Sequence, residues 1–267
     1  MSKLITSPSN PVIKTIRKLR NKKERDATGM FYVEGIRAVG EATRTGQLIE
    51  HILYCPELLD STFGNQLVDQ LPRDFPGLIE VTPEVFGSFS LKEGPQGLAA
   101  VVKQKWHSLS DVEISKGLWV GLDSIQDPGN LGTIFRSLDA VGGEGIVLLE
   151  NSTDPFHPSS IRASTGAIFT QKVVKTDLNE LKKWKEAAGF PMVGTYCGDA
   201  IPYRDYNYPK DMILLMGSEQ KGLQPEHLAL CDAVVTIPMA GNVDSLNVSV
   251  AASIVLFEIF HRKGNPG

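Results

Sequence analysis

Four nearly unbroken apolar runs in the second half of the chain constrain its fold more than any other feature: "GLWVGL" (117–122), "GIVLL" (145–149), "MILLM" (212–216) and "AVVTI" (233–237). A strand with water on one face alternates apolar and polar residues. These runs do not alternate, so they read as strands buried on both faces. "PMVGTY" (191–196) adds a further strand, and helical patterns lie over 130–142, 158–168, 178–189 and 246–263. Strands separated by helices imply an α/β fold with a mostly parallel sheet covered on both sides. Ligands in such folds bind at the loops that follow the strands.

The chain has 267 residues, enough for one large or two modest domains with cores of their own. Short apolar runs, "FYVE", "HILYC", "GLIEV" and "GLAAVV", alternate with helical stretches "GIRAVGEATRTG" and "PELLDSTFGNQLVDQL" through about residue 103. This reads as a smaller α/β domain over 1–105. "KQKWHSLSDVEISKG" breaks the pattern and supplies a linker at 106–116, leaving 117–267 as the second domain.

Net charge is −4, but its distribution matters more. Residues 1–25 hold eight Lys or Arg against Glu24 alone, a local charge of +7. Asn10 suits an N-cap and Pro11 the first helical position, and Val12, Ile13, Ile16 and Leu19 form one apolar side. The segment therefore reads as a basic amphipathic helix, either a solvated face or a surface that meets phosphates. Lys14, Arg17, Lys18, Arg20, Lys22 and Lys23 are its candidate phosphate contacts.

Cys55, Cys197 and Cys231 have no paired spacing, which opposes a disulfide framework or zinc ribbon and fits a reducing, cytoplasmic compartment. The Cys of "GTYCG" reads as a small buried thiol. The five histidines are scattered, with no metal-ligand spacing, so no metal is expected. The first residues lack the apolar core of a secretory signal. Segment 246–260 is short for a bilayer and carries Glu258, so no membrane span is expected.

Three loops carry the chemistry. In "DSIQDPGNLGTIFRSLDAVG", Asn130 is suited to cap a helix that presents Arg136, whose guanidinium could bind phosphate, lower a hydroxyl pKa, or merely pair with Asp139. In "LLMGSEQKGL", Gly217 permits close backbone approach, and Glu219 could be solvated, accept hydrogen bonds or orient Arg136. In "IPMAGNVDSLNVSVAASIVLFEIF", Asp244 and Ser245 read as caps, Asn247 as an amide satisfied by backbone or as a ligand group, and Ser249 and Ser253 as aids to helix packing. "VGGEGIVLL" runs into a strand rather than opening a helix, so it is no dinucleotide fingerprint, and "SEQKGL" lacks the order of a phosphate-binding P-loop.

In order and spacing, "NLGTIFR", "GSEQKGL" and "IPMAGNVDSLNVSVA" closely resemble the three motifs of the SpoU (TrmH-type) RNA ribose methyltransferases of the SPOUT class. The first half looks like the substrate-binding domain often fused to them. The resemblance implies a trefoil-knotted C-terminal methyltransferase domain, although chain topology alone would predict an unknotted sheet. It implies methyl transfer from S-adenosylmethionine to a ribose 2′-OH, in ribosomal RNA first and transfer RNA second, by a homodimer with the last helix as a candidate interface. Arg136 would activate the hydroxyl, as base or as electrostatic stabiliser; Asn130, Glu219, Ser245 and Asn247 would shape the pocket. Gly217, Ile237, Leu246, Thr195 and Leu215 would meet the cofactor. Leu138 departs from the small residue usual there. The rival readings are a non-catalytic RNA-binding or ribosome-assembly factor and a small-molecule methyltransferase, the latter leaving the basic arm without a task.

Overall fold

The computed structural model describes residues 3–71, 75–110, 116–149, 151–262 and 264. The chain through Gln104 forms β1 (Lys3–Ile5), α1 (Pro11–Lys18), α2 (Lys22–Thr28), β2 (Met30–Glu34), α3 (Ile36–Arg44), β3 (Ile49–Tyr54), α4 (Thr62–Asp69), β4 (Leu78–Val81), α5 (Pro83–Phe89) and β5 (Leu98–Lys103). There follow β6 (Leu118–Asp123), α6 (Pro128–Ala140), β7 (Gly145–Leu149), α7 (Pro158–Ser164), β8 (Lys172–Thr176) and α8 (Leu178–Ala188). The last elements are β9 (Met192–Thr195), β10 (Ile201–Pro202), β11 (Met212–Met216), α9 (Pro225–Leu228), β12 (Ala233–Thr236) and α10 (Val248–Arg262).

Two compact units result. The first takes the chain through Gln104 together with Asp154–Phe169; the second takes Lys105–Thr153 and Thr170 onward. Of the segment read as a linker, 111–115 lies outside the described residues, and His107 already bridges to Val174 in the second unit.

The first unit has a mixed sheet ordered β1-β4-β3-β5-β2, in which β5 runs antiparallel to both neighbours. Asn10 caps α1 by accepting from Val12 N at 2.9 Å, and Ile13, Ile16 and Leu19 bury their side chains in a core shared with Phe86 and Phe89. The basic segment is two helices rather than one. Arg25 turns inward, where its Nη1 donates to the carbonyls of Leu19 and Arg20, both at 2.8 Å. Those carbonyls end α1, and the guanidinium supplies the donors that a terminated helix lacks. Its Nε and Nη2 meet Asp154 Oδ2 at 2.8 and 2.7 Å, with the two side chains 1% and 8% exposed. Phe156 and Phe169 pack on Phe31, so residues 154–169 join this core although they come from the second half of the sequence.

The second unit is built on a parallel sheet ordered β10-β12-β9-β11-β6-β7-β8. Every residue of β6, β7 and β11 is buried, as their nearly unbroken apolar runs require, Asp123 at the end of β6 included. The fourth run, in β12, buries only Val235, because its outer neighbour is the two-residue edge strand β10. Strands β8 and β10 were not legible: the first, "KVVKT", keeps Lys172 and Lys175 at the sheet edge, and the second is two residues long. The helix expected over 158–168 stops at Ser164, because Thr165 takes a left-handed conformation and a short 3-10 turn follows. Register pairs Met216 with Leu122, Leu215 with Gly194 and Val235 with Thr195, so β6, β11, β9 and β12 end side by side. Because β11 lies between β6 and β9, the order of strand addition reverses there, and such a point opens a crevice at the strand ends.

Candidate active site

The loops leaving these strand ends hold most of the residues singled out in sequence. The turn after β11 is closed by Gly222 N donating to Ser218 O at 3.0 Å. A Cβ on Gly217 would stand 2.1 Å from the Gly222 carbonyl carbon and 2.2 Å from Leu223 N, so only glycine lets this backbone fold upon itself. That turn carries Glu219 at its exposed tip.

Glu219 bonds to the loop before α6, not to Arg136. Its carboxylate accepts from Gln126 N at 3.1 Å, Asp127 N at 3.3 Å and Asn130 Nδ2 at 3.1 Å. Asn130 Oδ1 in turn accepts from Asn247 Nδ2 at 3.0 Å, while Asn247 Oδ1 accepts from Ser249 N at 2.9 Å and Ser249 Oγ at 2.7 Å. The chain of bonds has a direction. An ionised carboxylate only accepts, so it orients the amide of Asn130, and that amide orients Asn247. Burial pushes the Glu219 carboxyl upward, but the hydrogen bonds from Asn130 and the backbone outweigh it and hold its pKa below the ordinary value.

Two caps move relative to expectation. Asp127, not Asn130, caps α6, accepting from Asn130 N at 2.7 Å, and the helix runs 128–140 rather than 130–142. The rule that Pro favours the first helical position would have found this, since Pro128 follows Asp127. Asn130 is thereby free to reach Glu219. Likewise α10 starts at Val248 rather than 246, and Asn247 does the capping expected of Asp244 and Ser245. Lys263, at the expected end of that helix, lies outside the described residues. Asn247 is exposed rather than a core amide. Ser249, read only as a packing residue, joins the network; its spacing of two from Asn247 is that of an Asx turn. Ser253 does aid packing, with its Oγ 2.7 Å from Ser137 Oγ where α10 lies on α6.

Arg136 is exposed on α6 and has no hydrogen bond or ion pair among the described residues. The alternative of a pair with Asp139 does not form: Asp139 accepts from Thr170 Oγ1 at 2.5 Å instead. Ser245 is exposed, and Ile237 and Leu246 are half-buried along the loop from β12 to α10. Thr195 lies beside Leu215, its Oγ1 3.5 Å from the Leu215 carbonyl and 3.3 Å from Met216 Sδ. Leu138 is buried and fits because Gly143 leaves its space open: a Cβ there would be 2.1 Å from Leu138 Cδ1. Cys197 is exposed, against expectation, because β9 ends at Thr195 and the thiol falls in the loop beyond. Beneath the loops, His227 Nε2 of α9 stands 3.5 Å from Asp123 Oδ2 at the end of β6, both almost fully buried. Sequence reading had no signal for that pair, since only the fold brings the two together.

In the first unit, the candidate RNA contacts divide. Lys14, Lys18 and Lys23 are exposed. Arg17 Nη2 donates to Pro8 O at 2.7 Å, Arg20 Nη2 donates to Phe89 O and Ser90 O at 3.0 and 3.1 Å, and Lys22 pairs with Asp26 at 2.6 Å.

Known proteins resemble both halves of the chain. Residues 117–257 match the SpoU rRNA Methylase family, and residues 10–100 match the MRM3-like substrate binding domain. The chain is 31% identical to the 23S rRNA (guanosine(2553)-2′-O)-methyltransferase of Bacillus subtilis (strain 168), over 96% of this chain and 99% of that one. It is also 31% identical to the 23S rRNA (uridine(2479)-2′-O)-methyltransferase of Streptomyces viridochromogenes, over 92% and 87%. Among solved structures, the AdoMet-bound rRNA methyltransferase from Sinorhizobium meliloti superposes with a TM-score of 0.88 at 35% identity, covering 97% of this chain and 98% of that one.

Proposed function

This chain belongs to the SpoU rRNA methylase family, and from that premise we propose that it methylates a ribose 2′-hydroxyl of ribosomal RNA with S-adenosylmethionine as donor. The observation that carries the reading is the chain of bonds Glu219–Asn130–Asn247, which ties the loops after β6, β11 and β12 into one constellation at the strand ends.

The cofactor's place is argued from the fit of the loops. The tight Gly217 turn brings bare backbone to the crevice, and Ile237 and Leu246 offer half-buried apolar surface on the neighbouring loop. Mixed backbone donors and apolar walls suit a nucleoside with a short charged tail. When bound, the cofactor supplies the electrophilic methyl group. The residues' task is to orient the hydroxyl and ease the loss of its proton. A guanidinium stays protonated at accessible pH, so unpaired Arg136 acts by stabilising the developing alkoxide, with the proton passing to solvent. Asn130 and Asn247 hold neutral amides in fixed orientation at the loop ends, and Ser245 offers a further hydroxyl for the RNA. The exposed lysines of the first unit, Lys14, Lys18 and Lys23, draw the RNA backbone.

The finer reading has four parts. The chain threads β11 between β6 and β9 as a trefoil knot, divides in sequence into domains at 1–105 and 117–267 with 154–169 of the second packed into the first core, acts without metal, and works in the cytoplasm as a homodimer. Val250 and Phe257 support the dimer, since α10 exposes them, 47% and 49%, as an apolar face toward a second copy.

The test is ribose-methylation mapping of total RNA from cells with the gene, without it, and with an Arg136→Ala copy. Loss of the same ribosomal site in the second and third strains is expected. A restored mark with Arg136→Ala would overturn the assignment of Arg136, and an unchanged map in all three would overturn the function.

A further inference from the structure

The first unit contains a cavity of about 320 Å³ that the reaction does not use. Arg20, Lys92 and Arg162 face it, with Glu34 as the one acid, and Tyr32 and Leu91 supply apolar wall. The acid is already engaged. Glu34 Oε1 accepts from Ser90 Oγ at 2.5 Å, and Oε2 accepts from Leu91 N at 2.7 Å and Tyr32 Oη at 3.1 Å. Burial, then the Glu34 charge, raises the Tyr32 pKa and keeps the phenol a donor.

The cations are less committed. Arg20 spends one nitrogen on the carbonyls of Phe89 and Ser90, which fixes it at the rim with donors to spare. Neither the Lys92 ammonium nor the Arg162 guanidinium has a hydrogen bond or ion pair among the described residues. Gly35 makes room for Lys92: a Cβ there would be 2.7 Å from Nζ, and its φ of +108° excludes larger residues in any case. Three positive side chains therefore converge on a cleft whose single carboxylate already accepts three local hydrogen bonds.

The size sets what can enter. A volume near 320 Å³ lies at the lower end of small-ligand sites, roughly 300–1,000 Å³, and takes one nucleotide rather than a duplex. Single-stranded RNA offers such a unit, an unstacked base with its phosphate, whereas a paired helix presents only its backbone and shallow groove.

We propose that this cleft binds one unpaired nucleotide of the RNA substrate, its phosphate held by Lys92 and Arg162 and its base laid against Leu91 over Tyr32. The inference rests on the RNA reading given above. It also makes the RNA surface composite: Arg20 and Lys92 lie within the matched substrate-binding domain at 10–100, whereas Arg162 lies within the stretch matched to the methylase family.

The test uses the full chain and a labelled single-stranded oligoribonucleotide of ~10 nucleotides, beside the same sequence in a duplex, across a salt series. The wild type is expected to prefer the single strand. The double variant Lys92→Ala/Arg162→Ala should lose about tenfold or more in affinity and reduce the salt slope by about 0.7, the share of one phosphate on a single strand. An unchanged urea unfolding profile, beside unchanged S-adenosylmethionine affinity, reports that both units of the variant are folded. Lys182→Ala, which removes a charge from α8, is the control for net charge. The inference is overturned if the double variant binds as the wild type does, if Lys182→Ala weakens binding as much, or if the duplex is bound equally well through the same residues. Should the wild type methylate ribosomal RNA while the double variant binds unchanged, this inference alone falls. Should the wild type bind no RNA, the functional reading falls with it.

Discussion

Arg25 and Arg136 are the same side chain in opposite settings. In the first unit, Arg25 is 1% exposed, bonded to two carbonyls and paired to Asp154. In the second, the Arg136 side chain is exposed and unpaired among the described residues, on the same helix whose first turn carries Asn130 and its bond to Glu219. The difference is the one expected if Arg25 serves structure and Arg136 the proposed chemistry. A guanidinium used for structure must have its donors consumed, because an unpaired buried charge is costly. One used for catalysis must keep them available, and solvent exposure makes that tolerable.

The largest effect should come from breaking the buried partner. Arg25→Ala leaves Asp154 buried without its cation and removes the donors at the end of α1, so unfolding in urea should show a loss of about 3–5 kcal/mol. Adding Asp154→Ala should recover part of it. A loss below about 1 kcal/mol would mean that the pair is incidental.

Arg136→Ala should do the reverse. Methyl transfer should fall by about 10²–10³, the scale of losing one stabilising donor, while the unfolding midpoint stays within about 0.5 kcal/mol of wild type as for other exposed sites. A large stability change would erase the contrast between the two arginines.

Asn130→Ala cuts the bonds between Glu219 and Asn247. A rise of about tenfold or more in cofactor KM is expected, since two bonds of about 1 kcal/mol each are lost, and the effect should not add to that of Asn247→Ala if the network acts as a unit.

Acid should act at the same point. The Glu219 pKa is lowered in the folded protein, so the stabilisation from its bonds is fully present above the unfolded value and is lost as pH falls through the folded one. Cofactor affinity should therefore hold at neutral pH and drop on the acid side of the usual carboxylate range. Glu219→Gln should remove that acid limb, since it keeps one acceptor oxygen for three donors and no longer titrates across it. An acid limb that survived in Glu219→Gln would place the titrating group elsewhere.

The smallest effect belongs to the contact where α10 meets α6. Ser253→Ala should cost roughly 0.5–1.5 kcal/mol in urea, with Ser249 O left one donor short and Ser137 one partner short.

Much of the fold was legible because its signals are local. The runs at 118–123, 145–149 and 212–216 are apolar at nearly every position, and strands buried on both faces need that. Asn10–Pro11 marked the start of α1 by capping chemistry alone. The roles within the site were legible less evenly. Glu219, Asn130 and Asn247 were singled out and are bonded to one another, yet Glu219 was offered Arg136 as a partner and instead holds the loop at 126–127. Ser249 was set aside and is part of the network.

What the sequence by itself determined is whatever neighbours within a few residues decide: strand or helix, a cap, a glycine where a Cβ cannot fit, and the family motifs in their order. Only the tertiary structure decided which distant groups meet. Arg25 finds Asp154 across 129 residues, and Asn130 finds Glu219 across 89 and Asn247 across 117. Side chains so far apart in the chain leave no periodicity for one another, and a hydrogen bond is chosen by the donors and acceptors that packing delivers within about 3 Å. The second half of the sequence even lends residues 154–169 to the first unit, because Phe156 and Phe169 bury their rings there.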